Sequence, residues 1–78
     1  MSIVPLLRSA QLIKALLGAG FRIIKQSGSH VRLRHVLDST RQTTVPIHNF
    51  PIPRWLLHAI LKQTKISLKE LLKLLGKK

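Results

Sequence analysis

Cysteine is absent from these 78 residues, aromatics are few, and only two acids occur, Asp38 and Glu70. Without cysteine there is no disulfide framework and no thiolate metal site, which fits a reducing cytoplasm. Two carboxylates do not supply the ligands with which a two-metal nuclease holds its ions, so neither metal nor other cofactor is expected. A Ser-His-Asp triad would have to draw its orienting acid from Asp38 alone. No run approaches the ~18 uninterrupted apolar residues of a membrane span. The opening MSIVPLLRSAQ has no basic segment ahead of a long apolar stretch, so no signal peptide is expected.

What is abundant is positive charge. Fourteen Lys and Arg against two acids give a formal charge of +12 with the histidines neutral. Such a field draws in polyanions: nucleic acid, an anionic membrane or an acidic protein. Hydrophobic residues nevertheless make up 45% of the chain. A disordered basic tail is therefore excluded, and residues 1–78 read as one folded basic domain with a modest core.

Apolar periodicity sets the order of elements. Ser9 is a candidate N-cap for a helix through AQLIKALLGAG, with Leu12, Ile13, Leu16 and Leu17 on one face and glycines at its end. FRIIKQ follows as a strand, with Phe21 and Ile23 on one side and Arg22, Ile24 and Gln26 on the other. SGS is a turn signal. HVRLRHV then alternates, Val31, Leu33 and His35 pointing one way and His30, Arg32 and Arg34 the other. After the turn formers of LDSTR, QTTVPIH reads as a third strand with Val45 and Ile47 inward, limited by Pro46 to an edge or to a pairing that needs no donor there. NFPIP cannot be helical. A helix resumes at Arg54, and Ser67 with Glu70 matches a capping box for a last short helix. Tight connections imply an antiparallel meander, with the helices on one face. The other face is left to His30, Arg32 and Arg34.

Those three residues suit one chemistry. RNA carries its own nucleophile, the 2′-hydroxyl, so an enzyme need only move protons and steady the charge on phosphorus. Imidazole is apt for proton transfer near neutral pH. Guanidinium forks onto two phosphate oxygens at once. Alternate residues on a strand stand roughly 6.5 to 7 Å apart, so H-x-R-x-R makes a phosphate rail with an imidazole at one end. His48 has the polar parity of its own strand and approaches His30 only if the register allows. His35 reads as a strand-end or core histidine, and His58 as a solvent-facing or packing residue of a helix.

The segments LIKALLGAGFRIIKQSGSHVRLRH, TTVPIH and LHAILKQTKIS resemble the HicA family of toxin mRNA interferases. The order and spacing match over residues 10 to 70 or so. The resemblance implies a fold like the double-stranded-RNA-binding domain, α+β with order α-β-β-β-α and here a short extra C-terminal helix. It implies metal-independent cleavage of mRNA with the histidine of the G-S-H motif as the catalytic residue, which is His30, preceded by Gly28 and Ser29. It implies a HicB-type antitoxin as partner, covering the active face. Beside it, Lys25, Gly28, Ser29, Arg32 and Arg34 are the expected RNA contacts, the three cations meeting phosphate. The second proton carrier is left open among His48, a lysine and water. Where the family commonly leads into its second helix through Gly-Thr-Leu, this chain has FPIPRWLLHA.

Lys65, Lys69, Lys73 and Lys77 recur every fourth residue, as a stripe of one helix would; an amphipathic back is the plainer reading. Lys14, Arg22 and Arg41 are further cations for RNA. Trp55 is expected to pack in the core or against a loop, with base stacking as the alternative. A monomeric toxin is expected. The rivals are a non-catalytic RNA-binding module on the same sheet and a membrane-active basic segment over residues 65–78.

Overall fold

The computed structural model describes residues 6–76. Helix α1 (Ser9–Gly18) leads into strands β1 (Phe21–Ser27), β2 (His30–His35) and β3 (Gln42–Pro46), followed by helices α2 (Arg54–Thr64) and α3 (Leu68–Leu74). The strands form one antiparallel sheet in the order β1-β2-β3. This is the expected α+β meander. Leu12 and Leu16 of α1, Leu57 and Ile60 of α2 and Leu71 of α3 are buried together with Phe21, Val31, Leu33 and Val45. All the helices therefore cover the sheet face that carries Val31, and its opposite face is open.

Local details depart from the periodic reading, each for a physical reason. Ser9 is the first helical residue rather than the cap, because its hydroxyl is taken by the Pro46 carbonyl at 2.7 Å and ties α1 to β3. The cap position is Arg8, whose N–H donates to the Gln11 side chain at 3.0 Å. Gly20, at φ +97°, makes the turn into β1, and a Cβ there would stand 3.0 Å from Nε2 of His35. Glycine is demanded twice at this position.

Strand β1 does not keep simple alternation. Ile23 pairs with Leu33 and Lys25 with Arg32, so Ile24 is an extra residue, a β-bulge. Beyond it the parity inverts: Lys25 turns to the open face and Gln26 to the helix side. The expected grouping of Gln26 with Arg22 is thus corrected. Strand β3 stops at Pro46 because its partner there, His30, is the first residue of β2. Ile47, expected inside, is 41% exposed, and Thr43 takes an inward position at 4%.

The lysine stripe is also broken. Lys65 caps α2 in the left-handed region at φ 59°, ψ 34°, which ends one helix before the next begins. Only Lys69 and Lys73 lie on α3, and Lys77 lies outside the described residues. Ser67 caps α3 by accepting from the Glu70 N–H at 3.0 Å, the forward half of the expected box. No helix among the described residues is long and apolar enough to cross a membrane.

Candidate nucleic-acid interface

The open face is a grid that follows directly from strand pairing. Residues directly opposite share a face. One row reads Ser27, His30, Pro46; the next Lys25, Arg32, Thr44; the third Arg22, Arg34, Gln42. His30, Arg32 and Arg34 are all exposed. The structure brings the sequence-expected His30, Lys25, Arg32 and Arg34 onto one surface. Lys25 reaches it only through the bulge at Ile24.

The first row is built by a tight turn. Ser27 pairs with His30, leaving Gly28 and Ser29 as the two-residue loop. Gly28 has φ +57° and Ser29 does not share its positive φ, the pattern of a II′ hairpin, which wants glycine first. A Cβ on Gly28 would meet nothing within 4 Å, so its requirement is conformational alone. The Ser29 carbonyl accepts from the Ile47 N–H at 2.6 Å, fixing the turn against the chain leaving β3. Among the described residues, no side chain or carbonyl hydrogen-bonds the His30 imidazole. It is presented free to solvent.

The two lower rows set cation against cation, Lys25 against Arg32 and Arg22 against Arg34. Like charges directly opposite cost roughly 0.2–1 kcal/mol each, so these pairs favour an anion between them. Arg32 is preorganised. Its Nε and Nη2 donate to Gln42 Oε1 at 3.3 and 2.9 Å, while Gln42 Nε2 donates to the Ser39 carbonyl at 3.2 Å. Gln42, which holds the Arg32 guanidinium, is a contact that sequence reasoning missed; its place in the third row, beside Arg34, depended on register.

The remaining candidates separate by their hydrogen bonds. His48 is not opposite His30, since Pro46 occupies that place. Its ring stacks on Phe50 at 3.9 Å between centroids and 11° between planes, and its Nδ1 is 2.9 Å from the Phe50 carbonyl. A carbonyl can only accept, so Nδ1 carries the hydrogen and the neutral ring keeps its lone pair on Nε2. His35 packs edge-on against Phe21 at 5.1 Å and its Nδ1 accepts from the Leu37 N–H, a structural role as expected. His58 is exposed on α2.

Arg41, expected to face RNA, turns inward instead. Its Nε donates to the Thr64 carbonyl at 2.7 Å, closing the end of α2, and its guanidinium lies 5.4 Å from the Phe21 ring centre. Trp55, expected in the core or packed on a loop, is 71% exposed and does not fill the core. Ile52 and Leu57 fill the core on either side of it.

Asp38 belongs to the far end of the sheet. It accepts from the Thr40 hydroxyl at 2.6 Å and the Thr40 N–H at 3.0 Å, with the Lys65 ammonium 3.9 Å away. The Thr40 hydroxyl first and then its N–H hold the carboxyl below its ordinary range; desolvation opposes them, and Lys65 and Arg41 add smaller lowering effects. His30 opens β2 and Asp38 follows its end. At the strand rise they stand roughly 15 Å or more apart, too far for one to orient the other. Among the described residues no three His, Asp or Glu side chains converge.

Residues 9–66 match a family model described as the HicA toxin of bacterial toxin–antitoxin systems. No curated protein matches the chain.

Proposed function

Because the chain belongs to the HicA toxin family and is thereby the toxin member of a toxin–antitoxin module with an antitoxin partner, we propose that it is an mRNA-cleaving endoribonuclease that works without metal through His30. The observation that carries this reading is the pairing of an unencumbered imidazole with two cation rows on one open sheet face. A phosphate backbone lying along the face meets Arg32, Lys25 and Arg34 in succession. Gly28 and Ser29 give the His30 end a shallow approach with no bulky side chain in the loop.

In the reaction the 2′-hydroxyl attacks the adjoining phosphorus, and the P–O5′ bond breaks. One proton leaves the 2′-oxygen and one reaches the 5′-oxygen. His30 serves as one of the two carriers. Arg32, held on Gln42, meets the charge that grows on the phosphoryl oxygens. The other carrier is left among His48, whose Nε2 lone pair faces away from its bonded side, a lysine and water. The partner is a HicB-type antitoxin that covers this face, and complementarity to a +12 chain calls for an acidic surface. The chain acts in the cytoplasm as a single monomeric domain.

The second reading, a non-catalytic RNA-binding module, draws on the lack of a second ionisable group opposite His30. Incubation with RNA in EDTA separates the two. Cleavage is expected to persist in the chelator and to fall about 10²- to 10⁴-fold in His30→Ala, the usual worth of a general acid or base, with RNA binding retained. Undiminished cleavage by His30→Ala removes the catalytic assignment.

A further inference from the structure

The chain has only two phenylalanines and one tryptophan, with no tyrosine. Phe21 is fully buried, yet Phe50 is 59% and Trp55 71% exposed. A small protein with a modest core gains most by turning such rings inward. Between them Ile52, at 2%, does the inward packing. The Phe50 ring and its segment are nonetheless held firmly. Pro51 and Pro53 fix the backbone after Phe50. The His48 imidazole both stacks on the Phe50 ring and donates to its carbonyl. The Arg8 guanidinium donates to the Asn49 carbonyl, and the Ile52 N–H to Leu7 at 2.6 Å. This segment leaves β3 beside His30, since Pro46 pairs with His30 and Ile47 bonds Ser29.

We propose that Phe50, backed by His48, and Trp55 form a stacking platform that receives an unpaired RNA base next to the His30 end of the sheet. This rests on the RNA reading above. Imidazole covers one side of the Phe50 ring, so a base on the other side extends the stack. Arg8 and Arg54, both exposed, border the segment and suit the phosphates on either side. Every base has a π-face, so the platform supplies affinity without strict sequence preference. Lifting one base from its neighbours also frees the sugar beside it to bring its 2′-hydroxyl in line.

Trp55 is the sole tryptophan, so its emission reports on the platform directly. The probe is a short 2′-O-methyl oligoribonucleotide, which binds but cannot be cut, compared with an abasic strand of equal length. Base-bearing strand is expected to quench Trp55 and the abasic strand to bind without quenching. Phe50→Ala should weaken the base-bearing strand about tenfold, within the range for losing one stacked base, leave abasic binding and the salt slope unchanged, and be rescued by Phe50→Tyr. Equal quenching by both strands, or unchanged affinity in Phe50→Ala, overturns the platform. So does a Phe50→Ala protein that loses its antitoxin but keeps its oligonucleotide affinity, which would give the surface to the protein partner. Base-dependent quenching by a protein that cuts no RNA leaves the platform standing and removes the nuclease reading. His30-dependent cleavage with unaltered KM in Phe50→Ala does the reverse.

Discussion

Along β2, Val31 and Leu33 are 2% and 0% exposed while His30, Arg32 and Arg34, one residue away on either side, face solvent. The two faces obey opposite demands. Burying Val31 and Leu33 is worth about 1.5–3 kcal/mol apiece. The cation pairs behind them cost up to about 1 kcal/mol each. The covered face therefore holds a surface that, for stability alone, would carry other residues. A polyanion lying across the open face, as proposed above, would offset that cost.

The comparison can be broken most forcefully at Leu33. Leu33→Ala should cost about 2–5 kcal/mol through lost burial and the cavity left behind, read as a lowered denaturation midpoint. RNA cleavage per folded molecule should stay unchanged, in contrast to His30→Ala; a selective loss of turnover would mean the two faces are not separable. Arg34→Gln should act with the opposite sign on stability. Relief of the Arg22–Arg34 pair raises stability by roughly 0.2–1 kcal/mol at low salt. RNA affinity falls, and the slope of log affinity against log salt shrinks by about 0.7 for one lost phosphate contact on a single strand. A destabilised Arg34→Gln protein would show that the cation row does not strain the sheet.

The smallest effect concerns the turn beyond β2. Asp38 titrates below its unfolded range, so its contribution is full above that range and is lost as pH falls through the lowered value. Acid titration of stability should therefore show a modest loss beginning near pH 4, the ordinary carboxylate range, and Asp38→Asn should flatten it. Because Asp38 stands apart from His30, the substitution should leave the pH profile of cleavage unchanged. A changed profile would link the two ends of β2.

Much of this architecture was legible beforehand. The element order, the single-sided helix layer and the exposure of His30, Arg32 and Arg34 follow from spacing, because alternation needs no long-range information. Lys25 was legible as a nearby cation, but its face was not. An unbroken alternation from Phe21 and Ile23 would have sent it toward the helices, and only pairing with Arg32 reveals the bulge at Ile24. Trp55 misled because apolar character argues for burial, whereas Ile52 and Leu57 had already taken the available interior. Arg41 misled for the converse reason: a charge is read as surface until the Thr64 carbonyl that it satisfies is known.

By itself, then, the order of residues determined which side of β2 is oily and which is cationic, since the pleat repeats every two residues whatever lies around it. Tertiary structure alone decided which β1 cations join His30, how Gln42 orients Arg32, and that His48 turns to Phe50 rather than His30. Register, bulges and ring partners depend on groups distant in the chain, and no local period encodes them.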